Sequence, residues 1–223
     1  MYNPSQPRIW HAPPLPRYNK RMLFFLTGDI QSGKTRWLDR VLDDLRAADI
    51  GTAGVLAPGV WRDHGPTASP RYEKLGLDNI LLPQRERIPF ARRDDLAKRE
   101  GTFDENSQAA HAQLHWAIDD AAIARVNAHF DELARGVSDG NAPSLLVIDE
   151  LGRLELLRGE GLDSALQLLD AGATSTYPHA LVIVRTDLLE QAFARFAAAP
   201  WGGLRAIHAD DEGQRALRAA FGC

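Results

Sequence analysis

A glycine-rich stretch near the start of the chain contains residues whose types and spacing suit phosphate chemistry. Residues 28–35, GDIQSGKT, fit the pattern G-x-x-x-x-G-K-[ST]. An apolar run at 22–26 precedes them, and apolar residues at helical spacing follow. Backbone N–H groups in such a loop, together with the N-terminus of the next helix, converge on anions. The stretch therefore predicts a loop that cradles the phosphates of a nucleotide.

Every residue of this loop is a candidate for nucleotide binding. The predicted binding residues are Gly28, Asp29, Ile30, Gln31, Ser32, Gly33, Lys34 and Thr35. Gly28 and Gly33 allow backbone conformations and a close approach that a Cβ would hinder. Lys34 brings a positive charge to the β- and γ-phosphates and is therefore also a candidate catalytic residue. The hydroxyl of Thr35 is a candidate ligand for Mg²⁺.

Two adjacent acids follow a hydrophobic run in the middle of the chain. Residues 144–148 are apolar without alternation, which is typical of a parallel strand buried on both faces, and Asp149 and Glu150 come next. An aspartate at the end of such a strand can hold Mg²⁺, usually through water. Successive residues point in different directions, so Glu150 could face the γ-phosphate and polarise the attacking water. The alternative is a pair of surface acids.

A third candidate for catalysis is Arg185, which follows another buried apolar run at 180–184. If that strand lies between the phosphate-loop strand and the Asp149 strand, Arg185 reaches the crevice where ligands bind in such sheets. It could then neutralise charge on the γ-phosphate. The alternative is a surface ion pair beside a helix cap at Thr186 or Asp187. Both interpretations stay open.

Several weaker patterns have competing explanations. Residues 149–152 fit D-x-x-G, but no Asn-Lys-x-Asp follows to select guanine, which argues against a GTPase switch. His111 and His115 have helical metal-ligand spacing without a clear third ligand. Basic residues at 85–99 could hold a polyanion, but interleaved acids favour a solvated loop. Asp210 and Asp211 could contact a base, although capping the last helix is the stronger interpretation. Glu155 could pair with a nearby arginine or orient the site.

The elements that must position these residues alternate along the chain. Strands are predicted at 22–26, 52–56, 144–148, 180–184 and 204–209, and helices at 34–48, from Asp119 or Asp120 to 135, at 161–171, at 187–199 and at 212–221. Strands alternating with helices indicate an α/β fold with a parallel sheet and right-handed crossovers.

Between residues 60 and 118 the pattern changes. A polar loop is predicted at 61–71, short strands at 72–82, 85–91 and 112–118, and a charged, mobile loop at 92–106. These strands predict a small antiparallel β insertion beside the main sheet. In an alternative, the following helix begins near Ser107 and absorbs the last of these strands. We prefer the strand because the two aspartates at 119–120 are good helix caps.

The composition restricts the classes of function. The chain has 223 residues and a net charge of −4, which does not favour nucleic acid as a partner. No apolar run approaches the ~20 residues of a membrane span. The one cysteine, Cys223, excludes an intrachain disulfide and suits the cytoplasm, where we expect the protein to be located. Residues 1–20 are rich in proline, and we predict a flexible arm, without a signal peptide, before one domain at 21–223.

The motifs GDIQSGKT and VIDELGRLEL, with GVLAPGVWRD, KLGLDNILL and IPFARR between them, resemble the THEP-type (cancer-related and thermophile) nucleoside-triphosphatases. The resemblance runs from about residue 21 to the end of the chain. It implies a P-loop NTPase fold of the additional-strand class, doubly wound around a mainly parallel sheet, with an antiparallel insertion after the second strand. The departures are the proline-rich arm, the polar loop at 61–71 and the Asp-Ile-Gln in the phosphate loop.

The resemblance also implies an activity, the Mg²⁺-dependent hydrolysis of ATP or another nucleoside triphosphate to the diphosphate and phosphate. Carried over by position, residues 28–35 would bind phosphate, Thr35 and Asp149 would serve Mg²⁺, and Glu150 would activate water. Two alternatives remain. One is a small-molecule or nucleotide kinase, with the arginines of 85–99 around its acceptor. The other is a slow nucleotide-dependent switch or assembly factor that responds to a protein partner.

Overall fold

The computed structural model describes residues 20–136 and 144–223. Nearly all of the predicted N-terminal arm lies outside the described residues.

Nine strands of the described residues form one sheet. They are β1 (Met22–Leu26), β2 (Gly51–Leu56), β3 (Gly59–Asp63), β4 (Tyr72–Leu82), β5 (Glu86–Arg93), β6 (Trp116–Ile118), β7 (Ser144–Asp149), β8 (His179–Ile183) and β9 (Gly203–Ile207). Their order is β6-β5-β4-β2-β7-β8-β1-β9, and β3 pairs with β4. The five neighbouring strands β2, β7, β8, β1 and β9 are parallel, and the others pair antiparallel. The predicted α/β class with a parallel sheet is confirmed.

Helices cover both faces of the parallel strands. They are α1 (Lys34–Ala47), α2 (Asp94–Glu100), α3 (Gln108–His111), α4 (Asp120–Ala134), α5 (Asp163–Ala171), α6 (Leu189–Phe196) and α7 (Asp211–Phe221), with a π-helical turn at Leu154–Arg158 and a 3₁₀ turn at Thr186–Leu188. Helices α1 and α7 pack on one face, and α4, α5 and α6 pack on the other. In the described ranges, no helix has the length and apolarity that crossing a membrane requires.

The two-sided burial explains the continuous apolar runs. In β1, Phe24 joins the core beneath α1 and α7, whereas Leu23 and Phe25 join the core beneath α4, α5 and α6. Alternate side chains of a strand point to opposite faces, so a strand covered on both sides is apolar at every position. All residues of β7 and β8 are buried as well, and those at 145–148 and 180–183 are apolar. These buried strands carry the loops of the candidate site at their carboxyl ends.

The insertion differs from the prediction in its placement. Strand β4 pairs directly with β2, so the antiparallel strands extend the main sheet and do not lie beside it. The predicted polar loop at 61–71 begins within a strand, because residues up to Asp63 pair with β4 as β3. The segment before α4 also differs from the prediction. The predicted strand at 112–118 is only three residues long and follows the short α3.

Local charge and backbone conformation explain two more corrections. The predicted mobile loop at 92–106 contains α2, in which acids occupy the first turn and bases the last, as the helix dipole favours. The alternative helix from Ser107 is wrong, because Gln113 has a φ of 54° and interrupts it. Asp119 caps α4 by accepting a hydrogen bond from the N–H of Ala121 at 2.8 Å. Most other predicted boundaries agree within two residues, but the predicted helix at 187–199 is a 3₁₀ turn followed by a shorter α6.

Candidate functional site

The predicted phosphate loop connects β1 to α1, as the sequence pattern requires. Gly28 has a φ of 142° and Gly33 a φ of 88°, both conformations that glycine adopts without strain. Gly33 is the N-cap of α1 and supplies no side-chain cap. The first N–H groups of an α-helix have no acceptor within the helix, so those of α1 can receive an anion. Between the glycines, residues 29–32 are exposed, and Ile30 is 70% exposed.

Lys34 holds its charge inside this loop. Its side chain is largely buried, and Nζ donates hydrogen bonds to the carbonyl oxygens of Gly28 at 2.8 Å and Asp29 at 2.6 Å. Nζ also lies 3.4 Å from the hydroxyl of Ser32. The loop backbone therefore curves around the ammonium group. A phosphate entering this loop would meet both the charge of Lys34 and the helix N-terminus.

The two predicted Mg²⁺ ligands lie side by side. The hydroxyl of Thr35 donates to Oδ1 of Asp149 at 3.3 Å, although 114 residues separate them in the chain. Oδ2 of Asp149 accepts a hydrogen bond from the N–H of Ala57 at 2.9 Å. Asp149 is 5% exposed, and burial raises the pKa of its carboxyl group to about 6, against the effect of these two hydrogen bonds. The carboxylate is therefore costly to keep ionised, and both of its hydrogen-bond donors are neutral.

Glu150 and Arg185 meet at the same edge of the sheet. Strand β8 lies between β1 and β7, which is the arrangement on which the prediction for Arg185 depended. Nε of Arg185 is 3.7 Å from Oε1 of Glu150 and 3.6 Å from Oδ1 of Asp187. Nε donates no hydrogen bond to any described residue. Arg185 thus stands beside the predicted water activator, and its ion pair with Asp187 keeps the surface interpretation open as well.

Lys74 also belongs to this site, and the sequence did not reveal it. It lies on β4, and its Nζ is 5.2 Å from the ring centroid of Trp116 and 6.0 Å from that of Trp61. Burial lowers the pKa of Lys74, and the carboxylates of Glu150 and Asp149 oppose this effect electrostatically. The pairing of β4 with β2 brings Lys74 near Asp149. No pattern in the sequence predicts that pairing, so the sequence could not connect the two residues.

Glu155 orders the loop that follows the two acids. Its carboxylate accepts hydrogen bonds from the N–H groups of Gly152 at 2.8 Å and Leu162 at 3.3 Å. The nearby Arg158 pairs instead with Glu160. Burial raises the pKa of the Glu155 carboxyl group, and the hydrogen bonds from backbone N–H groups oppose this effect. Of the open interpretations for Glu155, the contacts favour the one in which it orients the site.

The basic residues of 85–99 are paired with acids, which favours the interpretation of a solvated surface. The pairs are Arg85 with Asp39 and Asp43, Arg87 with Asp78, Arg92 with Glu100, Arg93 with Glu73 and Asp95, Lys98 with Asp94, and Arg99 with Asp95. A cleft of about 430 Å³ lies within the insertion, and the carboxylates that line it outnumber its one arginine. This cleft therefore does not fit the arginine-ringed acceptor pocket expected of a kinase.

Two weaker candidates from the sequence also have structural outcomes. Asp210 caps α7, accepting a hydrogen bond from the N–H of Gly213 at 2.8 Å, as the stronger interpretation predicted. Across residues 20–136 and 144–223, no three His, Cys, Asp or Glu side chains cluster closely enough to hold a metal ion. His111 and His115 therefore have no third ligand in the part of the chain that the structure describes.

In comparisons with known proteins, no protein-family model matches the chain, and no curated protein and no solved structure matches it significantly. The resemblance to the THEP-type nucleoside-triphosphatases therefore stays a prediction that depends on the quoted motifs.

Proposed function

We propose that the protein is a P-loop nucleoside-triphosphatase that hydrolyses ATP or another nucleoside triphosphate to the diphosphate and phosphate with Mg²⁺. The observation that carries this proposal is the hydrogen bond between Thr35 and Asp149, which joins the phosphate loop to the acid pair. The position of β8 between β1 and β7 supports the additional-strand class of this fold. The lone cysteine is compatible with the cytoplasmic location that we also propose.

The binding of the triphosphate would depend on charge and on oriented backbone groups. The N–H groups at the start of α1 would donate to phosphate oxygens, and Lys34 would exchange part of its contact with the loop carbonyls for contact with phosphate. The N–H groups are oriented before the substrate arrives, and Lys34 already lies within the loop, so binding would change only its contacts with the carbonyls.

The residues at Asp149 fit a magnesium ion. Mg²⁺ favours oxygen ligands and is usually held by one or two carboxylates together with substrate phosphates and water, so a cluster of three acids is not required. Thr35 and Asp149 supply adjacent oxygens, and a cation would offset the cost of the buried carboxylate. When bound, the ion would neutralise charge on the phosphates. Thr35 and Asp149 are the residues that would hold it.

Glu150 is the residue that we propose to activate water. Its side chain is 43% exposed, adjoins Asp149 in sequence and lies beside Arg185. A carboxylate in this position can accept a proton from water as the water attacks the γ-phosphorus. Arg185 would orient Glu150 or contact the phosphate.

The experiment that tests this function measures phosphate release and nucleotide binding for the wild type and for Glu150→Gln. With Mg²⁺ and ATP, GTP, CTP or UTP, we expect the wild type to release phosphate without an added acceptor. In Glu150→Gln, binding should persist while hydrolysis falls at least about tenfold, which corresponds to about 1.4 kcal/mol in the barrier. Glu190→Gln, on the exposed first turn of α6, is the control.

Other outcomes would point to the alternative functions. Phosphate transfer only to an added acceptor would indicate a kinase. Turnover that rises many-fold only with a protein partner would indicate a nucleotide-dependent switch. Normal hydrolysis by Glu150→Gln would show that another residue acts as the base.

A further inference from the structure

The lysine of β4 is held in an unusual environment. Trp61 lies directly across from Lys74 in the pairing of β3 with β4, and Trp116 belongs to β6, beyond β5. The ammonium group of Lys74 interacts with both indole rings. Such cation–π contacts favour a cation without using its hydrogen-bond donors. Among the described residues, Nζ of Lys74 contacts the rings but forms no hydrogen bond and no ion pair.

The backbone around Lys74 is adapted to this packing. A Cβ at Gly59 would lie 2.5 Å from Nε1 of Trp61 and 3.1 Å from Cε of Lys74, so a larger residue there would force the indole or the lysine stem to shift. Gly59 begins β3 only two residues after Ala57, whose N–H donates to Asp149. The chain therefore passes from the parallel strands into the insertion close to the acid pair. This connection brings the charge of Lys74 to the carboxyl ends of the strands.

The charges at this edge of the sheet form a definite arrangement. The carboxylates of Asp149 and Glu150 attract the ammonium group of Lys74 without touching it. In the order of the strands, Lys74 comes from the β4 side of β7, whereas Lys34 comes from the β1 side. Strand β7, which ends at the acids, thus lies between the strands that lead to the two lysines, and Lys74 is the lysine that interacts electrostatically with both acids.

We propose that Lys74 is a second phosphate-binding lysine, whose ammonium group contacts the terminal phosphate of the bound triphosphate and selects triphosphates over diphosphates. This inference rests on the proposed function. In the reaction, a water oxygen bonds to the γ-phosphorus while the bond to the bridging oxygen breaks, and the electron pair leaves with the diphosphate. The proton of the water passes to Glu150. Lys74 stabilises the charge on the transferred phosphoryl group, and the indole rings keep its ammonium group directed there.

The test is Lys74→Met, which keeps the length and apolar packing of the side chain but removes its charge. Binding of ADP and of an ATP analogue with an imido bridge between the β- and γ-phosphates is measured with Mg²⁺ by calorimetry, and hydrolysis of ATP by phosphate release. We expect the affinity for the analogue and the turnover each to fall about tenfold or more, because a hydrogen bond to a charged group is lost. The affinity for ADP should change little.

Lys98→Met is the matched control, since Lys98 also lies over an aromatic ring, that of Phe103, but pairs with Asp94 away from the acid pair. It should leave all three measurements unchanged. Lys74→Arg should recover part of the preference for the triphosphate, and Lys74→Gln serves if the methionine variant does not fold. An unchanged ratio of the two affinities in Lys74→Met or Lys74→Gln overturns the role of Lys74 while leaving the hydrolase proposal intact. Failure of the wild type to bind or hydrolyse any nucleotide overturns both.

Discussion

The buried carboxylate of Asp149 should destabilise the free protein at neutral pH. It lies at the end of β7 with 5% exposure, and its hydrogen-bond donors are the N–H of Ala57 and the hydroxyl of Thr35. The substitution Asp149→Asn keeps the size of the side chain. The amide oxygen can still accept from Ala57, and the amide NH₂ can donate to the Thr35 hydroxyl. The change therefore removes the charge with little change in packing.

The magnitude follows from the pKa of Asp149, which burial raises from 3.8 to about 6. At about 1.4 kcal/mol per unit, ionising this group in the folded state costs up to about 3 kcal/mol. The folded state binds more protons than the unfolded state between these two values. The stability that the folded state gains from a protonated Asp149 is therefore complete below pH 3.8. It is lost as the pH rises to about 6. Above that pH the asparagine variant should be more stable than the wild type by about 3 kcal/mol at most.

The assay is urea unfolding followed by circular dichroism, without nucleotide and with a chelator present. The difference in unfolding free energy between Asp149→Asn and the wild type is measured from pH 7.5 down to pH 4. We expect it to be large at pH 7.5 and to shrink through the region around pH 6. Asp131→Asn, an exposed aspartate on α4, controls for the general effect of losing a carboxylate.

Adding Mg²⁺ and a nucleoside triphosphate should reverse the order of stability. The wild type gains stability by binding the ligand, and the variant gains less because it lacks the carboxylate that would hold Mg²⁺. The reasoning is refuted if Asp149→Asn is no more stable than the wild type at pH 7.5, or if the difference does not depend on pH.

Two further substitutions test the phosphate loop and the sheet beside it. Lys34→Ala should abolish the rise in melting temperature that nucleotides cause, because the loop loses its cation, and a rise equal to that of the wild type would argue against a phosphate-binding role. Gly54→Ala should lower the unfolding free energy by at least about 2 kcal/mol, because a Cβ there would overlap the carbonyl of Val147 and the φ of 115° is strained for alanine. Gly65→Ala is its control in denaturant unfolding, since Gly65 also has a positive φ but no atom within 4 Å of its added Cβ. Equal losses in the two variants would exclude the steric explanation.

Local patterns allowed the central part of the fold to be predicted. The apolar run of β1, the glycines of the loop and the periodicity of α1 are neighbours in the chain, so the strand-loop-helix unit follows from short-range preferences. The end of β7 at Asp149 was predictable for the same reason, because apolar side chains give way to acids there. The insertion was predicted less well, since the place of its strands in the sheet depends on pairing with β2 and with one another.

The charged stretch around α2 shows the limit of reasoning from composition. Its alternating acids and bases are typical of a loop, but in the structure they stabilise a short helix at both ends. Glu155 shows another limit. The sequence suggested nearby arginines as its partners, but the carboxylate of Glu155 accepts hydrogen bonds from backbone N–H groups. Side-chain patterns in the sequence do not predict such backbone contacts.

The sequence by itself determined which residues could bind phosphate and metal, because residues 28–35 and the acids at 149–150 are short, contiguous patterns with their own chemistry. Only the tertiary structure decided how they meet. The position of β8 between β1 and β7 brings Arg185 to Glu150, and the pairing of β4 with β2 brings Lys74 to the same edge. Strand order and register depend on burial and pairing between segments far apart in the chain, so a short pattern does not encode them.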